Sequence, residues 1–329
     1  MDVSALVWLI TCAVIIGLFV FDFLTHVRVP HEPTFRESAF WSTFYISLAV
    51  AFGLLVIWKW GGTFGGEYFA GYITEKALSV DNLFVFTIIM SSFAVPREYQ
   101  QKVLLIGIVI ALIMRGAFIA IGAAAISAFS WVFYIFGVFL IYTAYKLARE
   151  SGHEREIEEK RDNRIVGLVR RFVPTTDVYD GDKLVTKVDG KRMVTPMLLA
   201  LVAIGFTDLL FALDSIPAIY GLTEEPYIVF TANAFALMGL RQLFFLIGGL
   251  LDRLIYLSYG LSLILAFIGV KLVLHALHEN TLSFINGGAH VKVPEITTAT
   301  SLSVIGGVLV VTTVASLLRT RRTKTGSPD

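Results

Sequence analysis

The stretch Thr207–Tyr220, TDLLFALDSIPAIY, places two carboxylates and a proline inside an apolar run that is long enough to cross a bilayer. An ionised Asp at membrane depth costs roughly 2.5–3.5 kcal/mol on insertion scales. Asp208 and Asp214 are therefore expected to face protein, water or a bound cation. Pro217 withholds a backbone donor, and a loosened helix with carboxylates beside free carbonyls is a common way to build a cation site in a carrier.

The composition of the whole chain is typical of an integral membrane protein. Of its 329 residues, 56% are hydrophobic and 16% are charged, whereas soluble domains carry about 25% charged residues. The formal net charge of +1 gives no basis for a nucleic-acid partner, so the lipid bilayer is the expected surrounding. Cys12 is the only cysteine, which excludes an internal disulfide and a multi-thiolate metal site.

Apolar windows of about 20 residues predict nine transmembrane helices, so the expected fold is all-α and membrane-embedded. The windows are Leu6–Leu24, Phe40–Trp60, Tyr68–Phe93, Val103–Ile126, Trp131–Leu147, Met197–Tyr220, Ile228–Leu250, Leu254–Leu274 and Ser301–Leu318. Lys and Arg follow spans one, three, seven and nine, whereas the connections Gly61–Glu67, Ser127–Ser130 and Gly221–Pro226 have none. Only Lys292, after span eight, departs from this alternation. The positive-inside rule then predicts an external amino terminus and a cytoplasmic carboxyl terminus.

The chain is predicted to divide into four segments. Residues 1–148 form a membrane half with spans one to five, and residues 149–195 form a charged loop on the cytoplasmic side. Residues 196–320 form a second membrane half with spans six to nine, and residues 321–329 form a cytoplasmic tail. Within the loop, a charged helix is predicted over Glu150–Arg171 and a two-stranded hairpin over Lys183–Thr195, turning at Asp189-Gly190. The loop is interpreted as a solvated linker, with a docking site for a protein partner as the alternative.

An internal repeat relates the two membrane halves. Residues 74–82, TEKALSVDN, align without gaps to residues 207–215, TDLLFALDS, and both read T-[ED]-x5-D-[NS]. The register continues with Arg115 and Arg241 in the next spans, and with Lys146 and Lys271 one span further. In the predicted topology, spans three to five and six to eight are two inverted three-helix units, an arrangement typical of alternating-access carriers.

The repeat places two acidic pairs near the predicted pseudo-twofold axis. Residues six apart on a straight helix differ by about 240° around its axis and cannot both reach one ion. The sequence therefore predicts either local unwinding near Asp81 and Pro217 or one ion-facing acid per helix. The candidate metal-binding residues are Asp22, Glu75, Asp81, Asn82, Asp208 and Asp214, and the candidate counter-charges are Arg115, Lys146, Arg241 and Lys271.

The balance of acids and bases in each unit also fits a purely structural set of buried salt bridges. Buried pairs seldom stabilise a protein more than apolar replacements would, so several of them in a bilayer favour a functional site. Asp22 supports that interpretation because its own helix offers no counter-ion. The bases are expected to neutralise the empty site, and some acids to change partner when a cation or proton enters.

The residue types limit the cargo of such a site. Carboxylates, hydroxyls, amides and backbone carbonyls are hard oxygen donors that suit Mn²⁺, Mg²⁺ or Ca²⁺, and these rules do not separate the three ions. His275, His278, Glu279 and His290 lie near the predicted outer end of span eight. They are either an outer capture site or ordinary interfacial side chains.

Residues 75–82, EKALSVDN, and residues 211–218, FALDSIPA, resemble the two signature motifs of the TerC family of bacterial membrane proteins. The similarity runs nearly end to end and includes Phe21-Asp22, the central charged loop with its hairpin, and nine spans. The resemblance implies manganese export across the inner membrane, protection against excess metal, supply of manganese to exported enzymes, and a link to tellurium resistance. Matching by motif, it places the acidic site at Asp22, Glu75, Asp81, Asp208 and Asp214.

Two functional classes follow. The first is a secondary carrier that expels Mn²⁺ or another hard divalent cation, in exchange for protons; it is not an enzyme and holds no permanent cofactor. No GxxxxGK[ST] motif is present, so the chain carries no phosphate loop to drive transport by its own ATPase activity. The second is a non-transporting membrane scaffold of a metal-stress or tellurite-resistance complex. A carrier needs the intramembrane acids, whereas a scaffold needs the loop 149–195.

Overall fold

The structure is a computed structural model that describes residues 1–27, 31–129, 131–150, 174–176, 178–188, 190–247, 256–280, 282, 285–294 and 296–325. Helices and one hairpin make up most of these ranges. The helices are α1 (Ala5–Asp22), α2 (Phe35–Trp60), α3 (Gly62–Ser92), α4 (Arg97–Ala128), α5 (Val132–Glu150), α6 (Pro196–Tyr220), α7 (Pro226–Leu237), α8 (Leu240–Ile247), α9 (Leu257–His278) and α10 (Thr298–Thr325). The hairpin pairs β1 (Val185–Val188) with β2 (Lys191–Val194). A π-helical turn, Phe23–Val27, extends α1.

Within the described ranges, eight spans are long and apolar enough to cross a membrane, which confirms a multi-pass α-helical membrane protein. One of the eight, Pro226–Leu246, covers both α7 and most of α8. The predicted third span, α3, is long enough, with 31 residues, but it is less apolar because it carries Glu67, Glu75, Lys76 and Asp81. It packs against α2, α6, α7 and α10, and its Glu67, Glu75 and Lys76 side chains all contact protein.

Local sequence signals fix several helix ends. The hydroxyl of Thr34 accepts a hydrogen bond from the Glu37 amide, and the Glu37 carboxylate accepts one from the Thr34 amide, which forms a capping box at the start of α2. Pro196 and Pro226 begin α6 and α7, where a missing amide proton costs nothing. Gly61, with φ +98°, separates α2 from α3.

The bundle is held by helix pairs that cross the two halves. α3 packs against α7, and α4 packs against α6; exchange of the two predicted repeat units would interchange these two contacts. α5 packs along α9, where a Cβ on Gly269 would lie 2.9 Å from the carbonyl oxygen of Gly137. Glycines are therefore required at this crossing, as in close helix pairs of other membrane proteins. The inverted relation of the two units stays a prediction.

The hairpin predicted around Asp189-Gly190 is present. Val188 pairs with Lys191 in the antiparallel register, which leaves a two-residue turn with Gly190 at φ +78°. The preceding segment is attached to the bundle, because the Tyr179 hydroxyl donates to the Phe93 carbonyl at 2.8 Å. The charged helix predicted over Glu150–Arg171 lies outside the described residues, except for Glu150 at the end of α5.

Candidate functional site

A buried arginine joins both acidic motifs at the centre of the bundle. Arg115 on α4 donates two hydrogen bonds to Asp208 on α6, at 3.2 and 3.1 Å, and pairs with Glu75 on α3. The same guanidinium donates to Ser215 at 3.0 Å and to Asn233 on α7 at 2.9 Å. We call these five residues the arginine cluster. All five are at most 2% exposed, so the cluster is closed to solvent.

The arginine cluster contains three of the residues that the sequence singles out, Glu75, Arg115 and Asp208. Glu75 and Asp208, the first acids of the two predicted repeats, share one cation, Arg115. Their role as metal ligands stays a prediction. The Ser79 hydroxyl adds a hydrogen bond of 3.2 Å to the Glu75 carboxylate. Asn233 was missed by the sequence reasoning, although an Asn inside the apolar stretch of α7 is itself a signal of a polar contact.

A cavity of about 140 Å³ adjoins the arginine cluster. Its polar lining consists of Asn82 on α3, Thr143 and Lys146 on α5, and Asp214 and Ser215 on α6; the apolar lining includes Leu78, Leu147, Phe211, Leu261 and Leu265. We call it the Asp214 cavity. The Thr143 hydroxyl donates to the Asp214 carboxylate at 3.3 Å. Asp214 is only partly buried, whereas Asp208 on the same helix is fully buried.

Ser215 belongs to both the cavity and the cluster, since the residue lines the cavity and its hydroxyl oxygen accepts from Arg115. Asp214, which can gain or lose charge, is therefore the direct chain neighbour of a member of the arginine cluster. Thr143 was also missed by the sequence reasoning; its place three residues before Lys146 on one helix face was the available signal. Asp81 precedes Asn82 on α3, but its side chain lies outside what the structure describes.

The helices α3 and α6 are continuous through the acidic motifs, so no unwound segment separates the acids of either pair. On α6, Asp208 faces Arg115 whereas Asp214 faces Thr143. This agrees with the angle of about 240° between residues six apart on a straight helix. One acid of α6 is held in the arginine cluster and the other lines the cavity.

Two predicted site residues lie in a different polar cluster. Arg241 on α8 donates to Asp22 at the end of α1 at 2.7 Å and to Gln101 on α4. Gln242 donates to the same Asp22 oxygen at 3.1 Å. Asp22 and Arg241 thus pair with each other, and neither lines the Asp214 cavity.

Lys271 also lies away from the Asp214 cavity. It lines a second cavity of about 270 Å³ together with His275, His278 and Glu279. His275 pairs at 2.9 Å with Glu224 in the connection between α6 and α7, and this hydrogen bond lowers the pKa of Glu224 below its ordinary 4.5. In the part of the chain that the structure describes, no three His, Cys, Asp or Glu side chains form a ready-made metal site, here or elsewhere.

The family model described as "Integral membrane protein TerC family" matches residues 60–324 of the chain. The chain belongs to the TerC family. This confirms the resemblance carried by residues 75–82 and 211–218, since both motifs lie within the matched range.

Relatives of this TerC family member come from bacteria and plants. An uncharacterized membrane protein of Mycobacterium tuberculosis is 52% identical over 98% of this chain and 81% of its own length. The thylakoid membrane protein TERC of Arabidopsis thaliana is 42% identical over 74% of this chain and 62% of its own length. The protein named "Putative membrane-bound redox modulator Alx" of Photorhabdus laumondii is 38% identical over 73% and 77%. No solved structure matches this TerC family member.

Proposed function

We propose that this TerC family member is a secondary transporter that exports a hard divalent cation, Mn²⁺ above all, in exchange for protons. The Asp214 cavity is the observation that carries the proposal. It brings Asn82, Thr143, Asp214 and Ser215 from three helices around one space, so a carboxylate, an amide and two hydroxyl-bearing side chains lie together. Oxygen donors of this kind suit Mn²⁺, Mg²⁺ and Ca²⁺, and the preference for Mn²⁺ rests on the family resemblance alone.

When no metal is bound, the positive charge of Lys146 balances the negative charge of Asp214. Lys146 lines the same cavity as Asp214, so an ammonium is available to the carboxylate when no metal is bound. A divalent cation at Asp214 would repel this ammonium, and Lys146 would then turn towards solvent, which its exposed position allows. In this scheme, metal and ammonium compete for one carboxylate, and a proton is the third competitor.

The arginine cluster supplies a fixed frame for this exchange. Arg115 carries one positive charge against the two carboxylates Glu75 and Asp208. Its hydrogen bond to Ser215 ties that frame to the cavity wall. We propose that Glu75 and Asp208 hold the two units together while Asp214, with Asp81 as the equivalent acid of the first unit, meets the cargo.

The remaining parts of the proposal follow from the same scheme. The protein acts as a carrier, not as an enzyme, with the metal as substrate and no resident cofactor. It lies in the inner membrane of a bacterial cell with the amino terminus outside and the carboxyl terminus in the cytoplasm.

The test is ion flux in proteoliposomes. Purified protein is reconstituted with an entrapped dye that Mn²⁺ quenches, and quenching is followed with and without a pH gradient. Wild-type protein should transport Mn²⁺ faster when the gradient is present. Asp214→Asn keeps the size of the side chain but removes the charge that a hard cation needs, so it should lower the initial rate at least about tenfold.

Asp180→Asn is the matched control, because Asp180 lies before the hairpin and contacts Thr186 and Lys183 outside the membrane. It should transport at the wild-type rate. No flux above protein-free liposomes, or wild-type flux in Asp214→Asn, would overturn the proposal. Inhibition of Mn²⁺ flux by added Ca²⁺ or Mg²⁺ in the same assay measures the relative affinities for the three ions.

The same variants separate transport from the scaffold alternative. A scaffold that docks a protein through 149–195 tolerates Asp214→Asn in cells exposed to excess metal and fails when the loop is shortened. A carrier shows the opposite pattern. The redox role in the name of the Photorhabdus laumondii relative is a further alternative, and a Cys12→Ser variant with unchanged transport and metal tolerance would argue against it.

A further inference from the structure

A break in one helix lies in the bundle interior. α7 ends at Leu237 and α8 begins at Leu240, with Met238 at ψ 136° and Gly239 at φ +75° between them. Leu237, Met238 and Leu240 are each at most 3% exposed. A helix that ends in the interior leaves carbonyl groups without helical partners, and such a group destabilises the fold if nothing satisfies it.

Lys76 supplies the missing partner. Its ammonium, on α3, donates to the Ala236 carbonyl at 2.9 Å and to the Met238 carbonyl at 3.3 Å. These two oxygens lie at the carboxyl end of α7, where the helix dipole adds a partial negative charge. A compact cation is therefore held on the exposed carbonyls of a half-helix.

Lys76 and the helix break are each present in one of the two predicted repeat units and absent from the corresponding position of the other unit. In the alignment of residues 74–82 with 207–215, Lys76 corresponds to Leu209. In the register set by Arg115 and Arg241, the break at Gly239 corresponds to Ile113, inside the continuous helix α4. One unit thus has the broken helix, the other unit has the lysine, and the lysine contacts the break.

We propose that Lys76 is a tethered substitute for a bound alkali-metal cation. In carriers with discontinuous helices, freed carbonyls and half-helix carboxyl ends coordinate Na⁺. Here the ammonium of Lys76, which is covalently attached to α3, occupies that position. The break between α7 and α8 is therefore stabilised without a free monovalent ion. The proposal concerns the helix break alone and holds or fails independently of the transported cargo.

Thermal unfolding of purified protein in detergent tests the substitution. Lys76→Ala removes the ammonium and opens space at the carbonyls, so in N-methylglucamine chloride its Tm should fall by roughly 5 °C or more. In NaCl or KCl at equal ionic strength, more than half of that loss should be recovered, in a manner that saturates with cation concentration. Wild-type protein should have the same Tm in all these salts.

Two variants control for side-chain loss. Lys76→Met fills most of the same space without charge, so it should lose as much stability as Lys76→Ala but gain nothing from Na⁺ or K⁺. Leu209→Ala truncates the corresponding position on α6 and should show no cation response. A Lys76→Ala protein that responds no more than these controls overturns the proposal. So does failure to recover folded Lys76→Ala in every salt, because the proposal requires the free cations to replace the ammonium.

Discussion

Arg115 donates hydrogen bonds to side chains on α3, α6 and α7, so its removal affects the contact between the two membrane halves. Arg115→Gln leaves Glu75 and Asp208 buried without their shared cation. Removing one partner of a buried ion pair typically costs about 3–5 kcal/mol. We expect the free energy of unfolding of Arg115→Gln to fall by that amount in chemical denaturation.

Lys183→Gln is the control for this measurement. Lys183 forms an exposed pair with Asp180, and such pairs contribute little to stability because water and salt screen them. If Arg115→Gln and Lys183→Gln unfold at the same denaturant concentration, the arginine cluster is not an ionised network.

Arg241 is the repeat counterpart of Arg115, and the sequence predicts equal effects of their loss. The contacts differ, however, because Arg241 faces one carboxylate, Asp22, and the neutral amide of Gln101. Neither contact adjoins the Asp214 cavity. We expect Arg241→Gln to retain several-fold more Mn²⁺ flux than Arg115→Gln at matched expression. Equal and severe losses in the two variants would instead support equivalent sites.

Thr143 offers a mild test of the cavity. Thr143→Val keeps the shape of the side chain but removes the hydroxyl that donates to Asp214 and lines the cavity. The lost hydrogen bond ends on a carboxylate, and a bond to a charged group contributes about 1.5–3 kcal/mol. We therefore expect a several-fold higher KM for Mn²⁺ and a loss of unfolding free energy no larger than that. Thr43→Val is the matched control, since the Thr43 hydroxyl donates to the Ala39 carbonyl on its own helix. A similar KM in both variants would exclude Thr143 as a ligand.

Among the elements, α6 is the one whose sequence predicted most about how its two acidic residues are placed. Its charged residues had to face protein, and their spacing on a straight helix fixed two separate faces. The sequence could not tell which partner each face meets. Thr143 and Arg115 lie 71 and 93 residues from their partners on α6, and only the packing of α4 and α5 against α6 brings them together.

The hairpin segment is attached to the bundle through a charged contact. The hydrogen bond from Lys102 on α4 lowers the pKa of Asp182 below its ordinary 3.8. Hydrogen bonds from Thr186 and Lys183 lower the pKa of Asp180 in the same way. Because these carboxyl groups have lower pKa values when folded, their contribution to stability is present above about pH 4 and is lost as pH falls through the folded pKa.

Hydrogen exchange of the β1 and β2 amides measures this loss. After correction for the intrinsic exchange rate, protection should be constant from about pH 5 to 7 and fall below about pH 4. Lys102→Gln removes the partner of Asp182, so its protection should be lower at neutral pH and depend less on pH. Protection of wild-type protein that stays constant down to pH 3 would show that these contacts do not hold the hairpin.

At the scale of the whole molecule, composition and charge patterning predicted the membrane class, the span positions and the hairpin. They did not predict the break at Gly239, because residues 228–250 read as one continuous apolar window. At the break, Gly239 has a left-handed backbone, and Lys76 donates to carbonyl groups 160 and 162 residues further along the chain. Such a contact is specified by three-dimensional packing and has no local signature.

Contacts between connections sort the ends of the helices into two groups. The Thr223 hydroxyl donates to Glu67 at 2.6 Å, so the connections before α3 and after α6 lie on one side. The Arg97–Glu32 and Tyr179–Phe93 contacts place the connections after α1 and α3 beside the hairpin. These groups agree with those that the Lys and Arg distribution assigns to the outside and to the cytoplasm.

The absolute orientation of the two groups is the remaining prediction. Basic residues concentrate in the connections near the hairpin and at the carboxyl end of α10, and basic connections stay in the cytoplasm. A reporter fused after Asp329 and one inserted between residues 151 and 173 should therefore be active in the cytoplasm, and one inserted within Leu222–Glu225 should be active outside. Alkaline phosphatase is active outside and green fluorescent protein is fluorescent in the cytoplasm. Fusing both reporters at each position therefore gives every position an internal control. An external signal from the loop would reverse the direction assigned to both predicted repeat units. Opposite signals from the loop and the carboxyl terminus would contradict the span count, which places both on one side of the membrane.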